Sequence, residues 1–238
     1  MLILAIDTTA VTASAAVCEW DGKDIKRFSL SSVNNGLTHS ETLFSLIDNA
    51  LKVFGKSVKD VELFAVSAGP GSFTGVRIGV SAVKGLAFDG RAVAAVSTLE
   101  ALAENVGAEG VICPLMDARR GVFYNALFKR TEGVLERLTP DRAISAEELS
   151  AELAEHGTAY ICGDGAYLFD SLHSGTAKLV NPALGSRYQN ALSVALCGAK
   201  QYMAGETVNA SSLSTIYLRK PQAEREREEK LKKEEQSI

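Results

Sequence analysis

The sequence predicts an α/β protein built from two halves that repeat one element order. Three observations predict it. Residues 1 to about 107 alternate between short branched apolar runs and stretches with apolar residues three and four apart, which are the strand and helix periods. The same order returns from Val111 in a worn form, and the first strand of each half ends in a carboxylate, Asp7 and Asp117. The chain has 238 residues, 46% hydrophobic and 23% charged, so it can bury a sizeable core and is neither disordered nor fibrous.

In the first half Leu2 to Asp7 is a branched apolar strand, turned by Thr8-Thr9, and Ala13 to Trp20 is a second. Asp21-Gly22 is a hairpin signal that returns Ile25 to Leu30 antiparallel. Thr38-His39-Ser40-Glu41 has the capping-box form, which satisfies two orphan amides at a helix start. Leu43, Leu46, Ile47, Ala50, Leu51 and Phe54 then line one face of a helix that ends near Gly55. Strand Leu63 to Ser67, the loop Gly69 to Gly75, helix Val76 to Phe88, strand Ala92 to Val96 and helix Leu99 to Val106 complete the order βββαβαβα.

In the second half Val111 to Asp117 is a strand, Arg119-Arg120-Gly121 turns it, and Val122 to Phe128 runs back. Ser145-Ala146-Glu147-Glu148 is another capping box, opening a helix to about His156. Strand Ala159 to Cys162, the turn Gly163-Asp164-Gly165, a short helix to His173, strand Lys178 to Val180 and helix Asn190 to Met203 follow. The expected division is 1–107, 108–205 with its last helix free to pack back on the first half, and a charged tail over 206–238. The boundary rests on the repeated order and on Gly107 and Gly110.

Composition excludes several functions. There are 25 Lys and Arg against 29 Asp and Glu, a net charge of −4, which disfavours unaided grip on a phosphate backbone. No stretch reaches the roughly 18–20 apolar residues of a membrane span, and Met1 to Asp7 lacks the basic leader of a signal peptide, so a cytoplasmic protein is expected. Cys18, Cys113, Cys162 and Cys197 show no paired spacing and read as buried free thiols. His39, His156 and His173 are too far apart to share a helix face as metal ligands, and no serine elbow occurs, so no metal site and no catalytic residue is expected.

Three motifs remain. Asp7-Thr8-Thr9 at a strand end offers hydroxyls and amides beside a carboxylate, which suits a phosphate; the same groups could equally satisfy the turn itself. Gly69-Pro70-Gly71-Ser72-Phe73-Thr74-Gly75 permits close backbone approach ahead of a helix N-terminus, as an anion site or as a tight connection. It is neither a P-loop nor a dinucleotide fingerprint. Gly75, Gly79 and Ala82 make a flat groove on the next helix, for a partner or for internal packing. The segment Arg219 to Glu235 carries 7 basic and 6 acidic residues in helical mixture and reads as a solvated helix.

Leu4-Ala5-Ile6-Asp7-Thr8-Thr9, then Gly69 to Gly75 continuing as Val76-Arg77-Ile78-Gly79, and Tyr217-Leu218-Arg219 with Ala223-Glu224, resemble the TsaB (YeaZ) family over residues 1 to about 220. The resemblance implies an actin-like ATPase fold of the sugar-kinase and heat-shock-protein superfamily with two duplicated halves. It implies an accessory, non-catalytic role in forming N6-threonylcarbamoyladenosine at position 37 of tRNAs that read codons beginning with A. The implied partners are the catalytic paralogue TsaD and the ATPase TsaE, with a homodimer when TsaD is absent and tRNA met only through the complex. No cofactor is firmly implied; ATP or ADP would sit at or near the partner interface. The paralogue carries a His-x-x-x-His metal pair where this chain has Ser97 to Ala103 without histidine. By the same resemblance the two helices of the first half form the partner surface, through Leu43, Ile47, Ala50, Gly75, Val76, Gly79 and Ala82. The alternative is a small-molecule kinase or peptidase-like enzyme; a kinase would use Asp7 and the Asp117 to Gly121 turn on phosphates.

Overall fold

The computed structural model describes residues 1–36 and 38–219. The first half contains β1 (Leu2–Asp7), β2 (Ala13–Trp20), β3 (Ile25–Val33), α1 (His39–Phe54), β4 (Leu63–Gly69), α2 (Phe73–Leu86), β5 (Ala92–Ser97) and α3 (Thr98–Glu104). Its sheet runs in the order β3-β2-β1-β4-β5, with β1 antiparallel to β2 and parallel to β4. Alternation along β1 sorts its side chains to two faces. Leu2, Leu4 and Ile6 join a core with Leu43, Ile47, Val76 and Val80, beneath α1 and α2. Ile3 and Ala5 join the opposite core with Val194 and Cys197.

The second half contains β6 (Gly110–Asp117), β7 (Val122–Asn125), β8 (Phe128–Thr131), β9 (Val134–Arg137), β10 (Arg142–Ser145), α4 (Ala146–Ala154), β11 (Thr158–Cys162), α5 (Ala166–Leu172), β12 (Lys178–Val180) and α6 (Ala191–Met203). Its main path, β10-β7-β6-β11-β12, repeats the order and directions of the first sheet. This is the duplicated actin-like architecture.

The expected single strand over Val122 to Phe128 is two. β7 pairs with Leu115–Asp117 of β6 and β8 with Gly110–Ile112, and the break falls beside Pro114, which has no amide to continue the ladder. Buried Asn125 bridges the gap, its Nδ2 donating to the Pro114 and Ala126 carbonyls at 3.0 and 3.2 Å. Glu132-Gly133, both at positive φ, turn β8 into the unexpected β9. The second capping box forms as expected between Ser145 and Glu148. The first does not: Thr38 makes no side-chain cap. α2 begins at Phe73, inside the expected loop, because Ser72 caps it.

α6 leaves its own half and packs on the first sheet, where Gly198 admits it: an added Cβ would lie 2.7 Å from the Ala65 Cβ. Residues 206–219 are not a tail. Val208 bridges to Val93, and Ala210 and Leu213 are buried in the first core. Of the expected charged tail, residues 220–238 lie outside the described residues. No helix among the described residues is long and apolar enough to cross a membrane.

The helix glycines make opposite predictions. At Gly75 an added Cβ would collide with the backbone carbonyl of Thr8, whereas at exposed Gly85 it meets nothing within 4 Å. Gly75→Ala is expected to lose about 1–3 kcal/mol or more, and Gly85→Ala to gain about 0.5–1 kcal/mol from helix propensity. Thermal melting reads both; equal shifts would refute the seating of α2.

Candidate functional site: a sealed turn and the cleft between halves

Glycine-rich backbone lies directly on the β1 turn. A Cβ at Gly71 would stand 2.6 Å from the Thr9 carbonyl, and one at Gly79 2.7 Å from Thr8 Oγ1. Thr8 Oγ1 donates to the Gly75 carbonyl at 2.7 Å, and the Ser72 amide donates to the Thr9 carbonyl at 2.7 Å. Gly69, at φ 122°, accommodates Ile216 on its other side. The loop Gly69, Pro70, Gly71, Ser72, Phe73, Thr74, Gly75 is therefore a packing device, and it presses on Thr8 and Thr9 where an anion was one of two expectations.

Beneath it Asp7 is fully buried. Its Oδ1 accepts the Thr9 amide and hydroxyl at 2.9 and 2.7 Å, and its Oδ2 accepts the Ser67 hydroxyl at 2.5 Å. Burial raises the carboxyl above its ordinary range, against the lowering effect of those bonds. Both Asp7 oxygens are engaged inside the fold, and Thr8 is sealed with it at 1% exposed. Asp7 and Thr9 thus satisfy the turn, and Thr9 also lines the cavity described below.

The second half keeps the corresponding turn accessible. Asp117 Oδ1 accepts the Arg119 amide at 2.7 Å, matching the Asp7–Thr9 contact, and its Oδ2 pairs with Arg119 Nη1 at 3.0 Å. Arg119, Arg120 and Gly121 all take left-handed backbone, at φ 71°, 60° and 70°, a conformation that costs non-glycine residues about 1 kcal/mol or more each. A cavity of about 380 Å³ lies between the halves. Its walls are Thr9 to Val11 and Gly71 to Phe73 from one half, Met116 to Arg119, Tyr124 and Asp164 from the other, and Tyr217 and Arg219 from the C-terminal segment.

Asp164, in the turn after β11, stands where Gly69-Pro70 stands in the first half. Its carboxyl is pushed up to about 6, first by burial and then by the charge of Asp117. Sequence reasoning read Gly163-Asp164-Gly165 only as a turn and missed Asp164, Tyr124 and Met116 as cleft walls. The available signal was the equivalence of the two strand ends. Among the described residues no group of three or more His, Cys, Asp or Glu is placed to hold a metal ion. All four cysteines are free and buried; burial pushes the Cys18 and Cys113 thiols up to about 12.

The residues expected at a partner surface point the other way. Leu43, Ile47, Ala50, Gly75, Val76 and Gly79 are buried against the sheet, and Ala82 is half-buried beside them. The apolar face of an amphipathic helix is the face its own core takes first. The solvent faces present Phe44 and Val53 on α1, 56% and 71% exposed, with Thr74, Arg77, Ser81 and Gly85 on α2 and Phe88 just beyond it.

Residues 36–224 match the family described as TsaD: tRNA N6-adenosine threonylcarbamoyltransferase. The chain is 36% identical over 146 residues to the tRNA threonylcarbamoyladenosine biosynthesis protein TsaB of Bacillus subtilis, covering 60% of this chain and 62% of that one. It is 29% identical to the TsaB of Escherichia coli over 228 residues, 92% of this chain and 95% of that one. The solved structure of YeaZ from Pseudomonas aeruginosa superposes with a TM-score of 0.75 at 25% identity, over 91% of this chain and 99% of the other.

Asp164 makes a pH-dependent prediction. Its folded-state pKa lies above the unfolded carboxylate value of about 3.9, so the folded chain holds the extra proton. Its contribution to stability falls as pH rises from about 4 to 6 and stays lost above that. Asp164→Asn is expected to raise stability at pH 7 by about 1–3 kcal/mol and to leave it near the parent's at pH 4. Denaturation at the two pH values checks this; the same difference at both would refute it.

Proposed function

From the premise that the chain belongs to this threonylcarbamoyltransferase family, in its TsaB (YeaZ) group, we propose that it is the non-catalytic subunit that binds and supports the catalytic TsaD subunit. Its process is tRNA threonylcarbamoyladenosine biosynthesis. The observation that carries the reading is the solvent face of α1 and α2. Phe44 stands 56% exposed on α1, whose inner face is already committed to the core, and aromatic side chains are enriched where one protein surface meets another. Thr74, Ser81 and Gly85 are small, so a partner helix can approach α2 closely.

The chemistry of the first half supports the accessory role. A kinase would need Asp7 free to meet phosphate or its metal ion, but three hydrogen bonds hold that carboxylate inside the fold. The net charge of −4 fits a subunit that meets tRNA through its partners. TsaE joins the same assembly, and two copies pair through the same helices when TsaD is absent.

Mixing the purified chain with TsaD and following mass by light scattering tests the reading. The parent is expected to form a complex. Phe44→Asp and Ser81→Arg, both on the solvent face, are each expected to weaken it by about tenfold or more, roughly 1.4 kcal/mol, without a change in melting temperature. Ile47→Asp is expected to unfold the chain instead. No complex with the parent, with or without ATP and TsaE, would sink the proposal, as would complexes of equal strength with both surface variants.

A further inference from the structure

We propose that Ile216–Arg219 is a strap that ties the two halves together across the mouth of the cleft and sets how far it opens. The strap is anchored to the first half at two places. The Ile216 amide donates to the Ala68 carbonyl at 2.7 Å, and its own carbonyl lies against Gly69, where a side chain would exclude it. One residue on, Tyr217 stacks on Phe73 with ring centroids 5.0 Å apart. Arg77 closes that stack, its guanidinium 3.7 Å above the Phe73 ring and its Nε donating to the Tyr217 hydroxyl at 2.9 Å.

Two residues later the strap reaches the second half. Arg219 Nη1 donates to the Ala118 carbonyl at 2.6 Å and to the Arg119 carbonyl at 3.4 Å. These carbonyls belong to the left-handed turn that walls the cleft, and Tyr217 and Arg219 wall it themselves. Inside the cleft the Met116 methyl also reaches Gly71, 3.2 Å from where a Cβ would stand, and the remaining links named here lie away from the cavity. Glu104 of α3 pairs with Arg130 of β8 at 3.1 Å, the Ser97 hydroxyl donates to Asp141 at 2.6 Å, and none of the four lines the cavity. One side of the molecule is thus a hinge of a buried ion pair and packed helices. The cleft side is spanned by four residues held by surface contacts, which release more readily than a packed core. Because Arg77 projects from α2, a change at that helix and the width of the cleft are joined through a single side-chain stack.

The native cysteines are all buried, so spin labels can be placed at Val11→Cys on the first-half rim and Glu147→Cys at the start of α4. The Ala146 amide donates to the Gly121 carbonyl there, tying α4 to the cleft turn. Electron-spin distance measurements on the full chain are expected to give one narrow distribution. Arg219→Ala and Arg77→Ala are each expected to shift it to longer distance and broaden it, with circular dichroism unchanged. Arg219→Lys, which keeps one donor, is expected to restore most of the parent distribution. The strap is overturned if both alanine variants keep the parent distribution, or if broadening comes only with loss of helical signal.

Discussion

The close seating of α2 and its preceding loop on the Thr8-Thr9 turn is the constraint on which the rest depends. Backbone meets backbone there because Gly71, Gly75 and Gly79 carry no Cβ, and a methyl at any of the three would overlap Thr8 or Thr9. Two glycines inside a helix cost about 1 kcal/mol each relative to alanine. That cost is offset by the Thr8–Gly75 hydrogen bond and by burial of Val76, Val80 and Val83, each worth roughly 1.5–3 kcal/mol. Once α2 is seated, Asp7 has no route to solvent, the Phe73 ring stands beside Tyr217, and the outer side of α2 is fixed as surface.

The two halves consequently do different things with one inherited plan. Each opens on a strand ending in aspartate whose Oδ1 accepts the amide two residues on, at 2.9 Å for Asp7 and 2.7 Å for Asp117. In the first half that carboxylate is closed over and neutral contacts surround it. In the second it stays at the cleft wall beside Arg119, with Asp164 near enough for its charge to be felt.

Most of this fold was legible in the sequence. Continuous apolar runs place β1 and β2, and the helical period places α1 and α6, nearly to the residue, since the strands bury both faces and the helices one. The failures share a cause, which is that local pattern does not report tertiary partners. Pro114 looks like an ordinary residue in an apolar run until the strand beside it has to break. Val134 to Arg137 and Arg142 to Ser145 are polar, short edge strands, held by pairing and not by apolar alternation. Val208 to Leu213 adjoins a charged segment, yet Ala210 and Leu213 are core. At the candidate site the glycine spacing was visible, but a close-approach groove reads the same whether a partner or the protein's own turn fills it.

That ambiguity is resolved by asking what each face of α2 can bury. A helix over a sheet must give the sheet its most continuous apolar stripe, and on α2 the stripe is Val76, Val80 and Val83, with Gly75 and Gly79 between it and the β1 turn. The residues left for a partner are those whose removal from the core costs nothing: Thr74, Ser81, Gly85 and the exposed aromatics Phe44 and Phe88. Gly85 is the informative one, because beyond its own stretch of helix no atom lies within 4 Å of where its Cβ would be. The packing that explains Gly75 and Gly79 does not account for it. The partner proposed above would account for it by approaching the outward side that also carries Ser81.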